Sequence, residues 1–194
     1  MEKKHTCSWP NNDPLMIDYH DKEWGVPLHD DQRIFEFMVL DAFQAGLSWQ
    51  IVLKKREGFR KAFDRFDYKK IARYKEEKIQ QLLKDAGIIR NQLKIRATLN
   101  NAQRFLEVQK EYGTFDHYIW KFTGNKTINN KWKHLAELPA RSPESDAMSK
   151  DLTKRGFKFV GSTICYAFMQ AAGLVNDHLI NCYRYQEIKK TAPK

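Results

Sequence analysis

The sequence predicts an all-α protein. Three observations carry that prediction. Apolar residues recur at helical spacing in segment after segment, capping residues stand where those segments start and stop, and period-two alternation is scarce. In chain order, Asp30 or Asp31 caps a helix through IFEFMVLDAF. Ile34, Phe35, Phe37, Met38, Val39, Leu40, Ala42 and Phe43 leave it almost no polar face, so it is expected to be buried. Ala45-Gly46-Leu47 breaks it, and Ser48 caps the next helix, which carries Trp49, Val52, Leu53, Phe59 and Phe63. EEKIQQLLKDA sets Ile79, Leu82, Leu83 and Ala86 on one stripe, with Gly87 as the expected C-cap. A long helix follows with Ile95, Leu99, Ala102 and Leu106 in line, then a short aromatic one from Phe115 to Phe122. Residues 123–134 are polar and Asn-rich and read as a surface loop. Ser142-Pro143 opens a helix that stops at Gly156, and another runs from near Ser162 to Gly173. Residues 186–194 read as a frayed tail.

The chain has 194 residues, 42% of them hydrophobic, with 12 Phe, 8 Tyr and 5 Trp. That suits one domain of two intimate helical lobes with a real core. No apolar run approaches the roughly 18 residues of a spanning helix, and no secretory signal follows the N-terminus, so no membrane role is expected. Three cysteines make no disulfide framework. They fit the reducing cytoplasm, as free or metal-bound thiols, with Cys165 in the apolar run ICYAFM a core residue. The net charge of +10 favours a polyanion, nucleic acid first, against the plainer reading of a soluble basic surface.

Four soft donors stand near the two ends of the chain: Cys7 and His20, then His178 and Cys182 spaced as H-x3-C. Together they would make a tetrahedral Cys2His2 zinc set, one ion stapling both termini. The H-x3-C spacing puts its two donors within one turn if that segment is helical. The alternative is four unrelated residues, since His5, His29, His117 and His134 are also available.

Lys154 to Thr163 joins two helices through a short segment bounded by Gly156 and Gly161. The amides that open the second helix, at Gly161, Ser162 and Thr163 after Val160, lack intrahelical partners and suit a phosphate. Lys154, Arg155 and Lys158 surround them. This is a helix-hairpin-helix signal for gripping a DNA backbone without reading sequence; the alternative is an ordinary helix corner. A second constellation is aromatic. Trp9, Tyr19, Trp24 and Trp49 lie in otherwise polar or turn-like segments. Flat rings around one carboxylate are what a pocket for a flipped, electron-poor base requires. Asp41, a charge inside the apolar helix 34–43, is the carboxylate candidate, with a structural cap or a buried ion pair as its alternative.

Taken together, the stretches Tyr19-His20-Asp21, Glu23-Trp24-Gly25-Val26-Pro27, Gln44 to Trp49, Asp85 to Arg90, Lys154 to Ile164 and Ala172 to His178 resemble the 3-methyladenine DNA glycosylase I family, zinc-containing helix-hairpin-helix enzymes of bacterial alkylation repair. The resemblance covers residues from about 6 to 183. It implies that Cys7, His20, His178 and Cys182 hold a structural zinc. It implies that Tyr19 and Trp49 line a base pocket with Trp9 and Trp24 nearby, and that Leu47 wedges into the gap left by a flipped nucleotide. The implied reaction is hydrolysis of the N-glycosidic bond of 3-methyladenine in double-stranded DNA, by a monomer, leaving an abasic site. Two positions depart from the family. Asp41 stands where a glutamate is usual, and Met16 where a tyrosine is frequent. They set the open alternative, a DNA lesion-binding protein that excises poorly.

Overall fold

The structure, a computed structural model, describes residues 6–191. Ten α-helices occupy them: α1 (Pro14–Lys22), α2 (Asp31–Gln44), α3 (Trp49–Ala62), α4 (Tyr68–Ile71), α5 (Glu76–Lys84), α6 (Gln92–Tyr112), α7 (Phe115–Trp120), α8 (Pro143–Lys154), α9 (Ser162–Ala171) and α10 (Tyr183–Thr191). None is long and apolar enough to cross a membrane. The expected caps are in place. Asp30 accepts from the Arg33 amide, Ser48 from Ile51 and Ser142 from Ser145, each satisfying an amide with no intrahelical partner.

Helix α2 is the axis of the core. Every residue from Ile34 to Phe43 is buried, and α2 packs against α3, α6, α7 and α9. Two side chains in that run are charged. Glu36 is held by Arg56 at 2.7 Å and Arg60 at 2.9 Å. Asp41 has no such partner.

Four expectations need correction. Gly87 does not cap α5: the helix ends at Lys84 with Asp85 as its C-cap. The close approach here belongs to Gly58 of α3, where a Cβ would stand 2.2 Å from the Gly87 carbonyl oxygen. The segment 123–134 is not only a surface loop. Ile128–Asn129 (β1) pairs in parallel with Val175–Asn176 (β2), and Thr123 and Thr127 are buried. The tail is not frayed over 186–191, since α10 continues through it; residues 192–194 lie outside the described residues. Buried Tyr185 and Ile188 dock α10 on the core, and the Tyr185 carbonyl accepts from Asn176 Nδ2 at 3.1 Å. Finally, His178 and Cys182 are not on a helix but in the turns between β2 and α10, closed by a 2.7 Å bond from the Cys182 amide to the Leu179 carbonyl.

Candidate active site

Trp9, Met16, Tyr19, Trp24, Asp41 and Trp49 line one cavity of about 340 Å³. The way the elements meet explains the convergence. Asp13 caps α1 by accepting from the Leu15 and Met16 amides, and also accepts from Gln50 of α3. That single side chain ties the start of α1, which carries Met16, to the start of α3, which carries Trp49. Tyr19 follows Met16 by three residues, on the same face of α1. Trp9 and Trp24 come from the turns on either side of α1 and meet edge to face, with ring centroids 5.0 Å apart. Tyr19 and Trp49 lie 5.2 Å apart at 51°.

Asp41 enters from the last turn of α2. It is 3% exposed, and its Oδ2 has no hydrogen-bond partner among the described residues. The indole N–H groups of Trp9 and Trp49 are buried and unpartnered as well. Three buried polar atoms left open around one cavity are costly unless a ligand completes them. Burial alone pushes the Asp41 carboxyl well above the usual carboxylate range, since no cation faces it. Burial and then the charge of Asp41 push the Tyr19 phenol up as well.

The cavity also has walls that the sequence reading missed. Gln44, Ala167 and Gln170 line it, and so do Leu135 and Leu138. The last two sit beyond the stretch read as a loop, where no helical period announces them. Their strap is held by Asp177, next to His178. Asp177 is 1% exposed, which rules out a surface role. Its Oδ1 accepts from Asn130 Nδ2 at 2.7 Å and Trp132 Nε1 at 2.8 Å, its Oδ2 from Tyr166 at 2.7 Å and Gln170 Nε2 at 2.8 Å. Four donors occupy it fully, so it fixes the strap against α9. Glu23 is likewise occupied, by two bonds from Arg56 and one from Arg33.

Directly behind the aromatic wall, the donor atoms of Cys7, His20, His178 and Cys182 all lie within 4.8 Å of one another, and all four residues are buried. Cys7 Sγ is 3.8 Å and Cys182 Sγ 3.6 Å from His178 Nδ1, and Cys182 Sγ is 3.6 Å from His20 Nε2. Ligands of one tetrahedral ion with metal–sulfur and metal–nitrogen bonds of about 2.3 and 2.1 Å stand roughly 3.5 Å apart, so the set fits a metal ion. The outer nitrogens are fixed too. His20 Nδ1 meets Asp21 at 2.7 Å, and His178 Nε2 donates to the Trp24 carbonyl at 2.9 Å. Orienting partners of this kind set the tautomer of a ligating imidazole. The hydrogen bond between the two thiols, aided by both imidazoles, holds Cys182 well below the usual thiol range, and the same bond, with burial, holds Cys7 up. Trp24 packs edge-on against His178 at 4.7 Å, and Trp9 against His20 at 5.5 Å, so the cavity wall and the donor cluster share a face.

The hairpin between α8 and α9 is present, with differences in detail. Gly156 takes φ +84°, but the second left-handed residue is Phe159 at φ +55°, not Gly161. Its shape comes from α6. Asn101 bonds both the amide and the carbonyl of Lys158, at 2.8 and 2.9 Å, and Asn100 donates to the Gly156 carbonyl at 2.8 Å. Lys154, Lys158, Gly161 and Thr163 are exposed. Arg155 is not among the hairpin's open cations. It is bound to Glu111 at 2.6 Å and Asp151 at 2.9 Å, and it covers the rings of Tyr112 and Tyr118. The Val160 side chain is buried, leaving only its backbone for contact, and the Ser162 hydroxyl is spent on Asp146 and Ser145. Leu47, at the turn before α3, is 39% exposed.

A family model described as methyladenine glycosylase matches residues 9–185. The DNA-3-methyladenine glycosylase 1 of Escherichia coli K12 is 49% identical over 179 residues, covering 92% of this chain and 96% of that relative. The DNA-3-methyladenine glycosylase of Haemophilus influenzae is 47% identical over 91% of this chain and 95% of its own length. A crystal structure of a 3-methyladenine DNA glycosylase I superposes with a TM-score of 0.89 at 47% identity, covering 92% of this chain and 98% of that one. A Staphylococcus aureus glycosylase, solved to explain its recognition of 3-methyladenine, gives the same TM-score at 33% identity over 92% and 95% of the two chains.

Proposed function

The chain belongs to the methyladenine glycosylase family, and from that premise we propose that it hydrolyses the N-glycosidic bond of 3-methyladenine in alkylated double-stranded DNA, leaving an abasic site. The observation that carries this to residues is Asp41, a buried carboxyl without a counter-charge in an aromatic cavity. Methylation at N3 makes the attached purine cationic and so a ready leaving group. A cationic base supplies the charge that Asp41 lacks, and an undamaged purine does not. Selection therefore rests on charge as well as shape. Tyr19 and Trp49 offer faces that attract a cationic ring, with Trp9 and Trp24 closing the space against water. As the bond breaks, positive charge passes from base to sugar, and a carboxylate in a dry site still acts on it at short range. A carboxylate on the amino edge leaves no room for a 7-methyl group, so 7-methylated purines are rejected.

The metal assigned to Cys7, His20, His178 and Cys182 is one structural zinc per chain. Two thiolates and two imidazoles in a closed set are the donors that ion prefers. Lys154 and Lys158 take phosphates beside the open amides at the start of α9. Pocket and metal set are each completed by one chain, which supports a monomer. Three unbridged cysteines support a cytoplasmic setting.

The test is base release from methylated duplex DNA, resolved by product. Wild type is expected to release 3-methyladenine and to leave 7-methylguanine. Asp41→Asn, which keeps shape and removes charge, is expected to lose about 100-fold or more, the scale of removing one group that stabilises developing charge. Binding without release by wild type would favour a lesion-binding protein. Equal release by both would dismiss Asp41 as the reader.

A further inference from the structure

Ile51 and Lys54 have no part in the cavity or the metal set. Ile51 is 42% exposed, more than Leu47 at 39%, and both are large aliphatic side chains. Lys54 is exposed as well. Residues 47, 51 and 54 are spaced by four and three, so they line one face of α3 and of the turn that leads into it. The other faces of α3 are in use. Trp49 lines the cavity, while Val52, Leu53 and Arg56 are buried. The face is rigid, because Ser48 caps the helix and Gln50 is tied to Asp13. It begins at the cavity rim, since Gln44 lines the cavity and Gly46, at φ +80° in open space, turns Leu47 outward.

We propose that this face of α3 engages the interrupted stack of a duplex whose nucleotide has been turned into the cavity, with Ile51 extending the apolar wedge of Leu47 and Lys54 taking the neighbouring phosphate. The proposal rests on the glycosylase reading. Flipping a nucleotide opens an apolar slot between base pairs, with phosphates a few ångströms along the backbone on either side. Two aliphatic residues followed one turn on by a cation match that order. Apolar wedges driven into an opened base step are a general way of holding distorted DNA. A second copy of this chain is a poorer occupant. It would bring the face of one +10 molecule against another, over only two apolar side chains.

The experiment titrates the full-length protein against two labelled duplexes of one sequence, one intact and one carrying a tetrahydrofuran abasic analogue. Ile51→Ala and Ile51→Gln are expected to weaken binding to the abasic duplex about tenfold, the size of burying one aliphatic side chain, and to leave intact-duplex binding within about twofold. Lys54→Ala is expected to weaken both and to lower the slope of log affinity against log salt by about one. Unchanged melting temperatures are expected, since both side chains are exposed. Abasic-duplex binding by both Ile51 variants equal to wild type would overturn the wedge, and an unchanged salt slope would overturn the phosphate contact. A dimer in sedimentation that Ile51→Ala dissolves would give the face to a second copy and overturn the proposal. Wild-type base release is measured separately. If it fails while the Ile51 effect stands, the glycosylase reading falls and the surface does not.

Discussion

Asp41 shows how one side chain can be good for function and bad for the fold. Its carboxyl is pushed up by burial, so the folded state prefers it protonated while the unfolded chain ionises it at ordinary values. The stability linked to that proton is fully present below the unfolded pKa and is lost as pH rises through the folded one. Asp41→Asn is therefore expected to melt at the wild-type temperature near pH 4 and above it at pH 8, as calorimetry would show. Activity is expected to move the opposite way. Wild-type base release should fall on acidification as Asp41 takes up its proton, and the asparagine variant should have a flat, low profile. A carboxyl kept only to brace the fold would lose stability and activity together. The sequence showed that Asp41 was odd, because a charge inside an apolar helix is conspicuous. It could not show whether a cation faced it. Glu36, on the same helix, is equally buried and does have its arginines, and nothing in the local pattern separates the two.

At the scale of elements, the hairpin owes its shape to side chains far away in sequence. Asn101 holds both polar groups of the Lys158 backbone from the middle of α6. Asn101→Ala is expected to cost about 1–3 kcal/mol, the penalty of stranding buried partners, and to weaken duplex binding at moderate salt about as much as Lys158→Ala. Arg155→Ala should differ: a lower melting temperature, with the salt slope of DNA binding unchanged, because its charge is already spent on Glu111 and Asp151. Parallel thermal melts and salt titrations separate these outcomes. The helices and caps were legible because each is written within a few residues: Asp30, Ser48 and Ser142 announce their own helices. The pairing of Ile128 with Val175 and the strap carrying Leu135 and Leu138 were not. They depend on Asp177 gathering four donors from two separate segments, the strap itself and α9, which no periodicity reports.

For the molecule as a whole, the donor cluster couples the two ends of the described chain to the back of the cavity. Binding energy of a metal held by such a set is folding energy, because the unfolded chain cannot preform it. Cys182→Ser, or a strong chelator at neutral pH, is expected to remove about one metal ion per chain and lower the melting temperature by 10 °C or more, roughly the effect of several kcal/mol in a chain this long. Metal analysis and calorimetry on the same samples check this. Protein prepared without chelator that contained no metal and melted like Cys182→Ser would refute it. Here the sequence was informative for an incidental reason. The spacing of His178 and Cys182 suggested a helical turn, and although the segment folds as non-helical turns instead, the two donors still meet. Close donors need only a tight chain reversal, and several backbone shapes provide one.

The same closure has a mechanical side. Cys7 stands near one end of the described residues and Cys182 directly before α10, so with metal bound a pull applied from both sides is transmitted through the ligands before it reaches the helices between them. Cys7 and Cys182, the outermost ligands, would carry that load through the ion, and the helices from α1 to α9 would stay inside a closed loop under no tension. A single-molecule stretching trace of the metal-loaded protein should accordingly show one high-force rupture followed by rapid extension. Chelated protein should peel open gradually at low force from α10 inward.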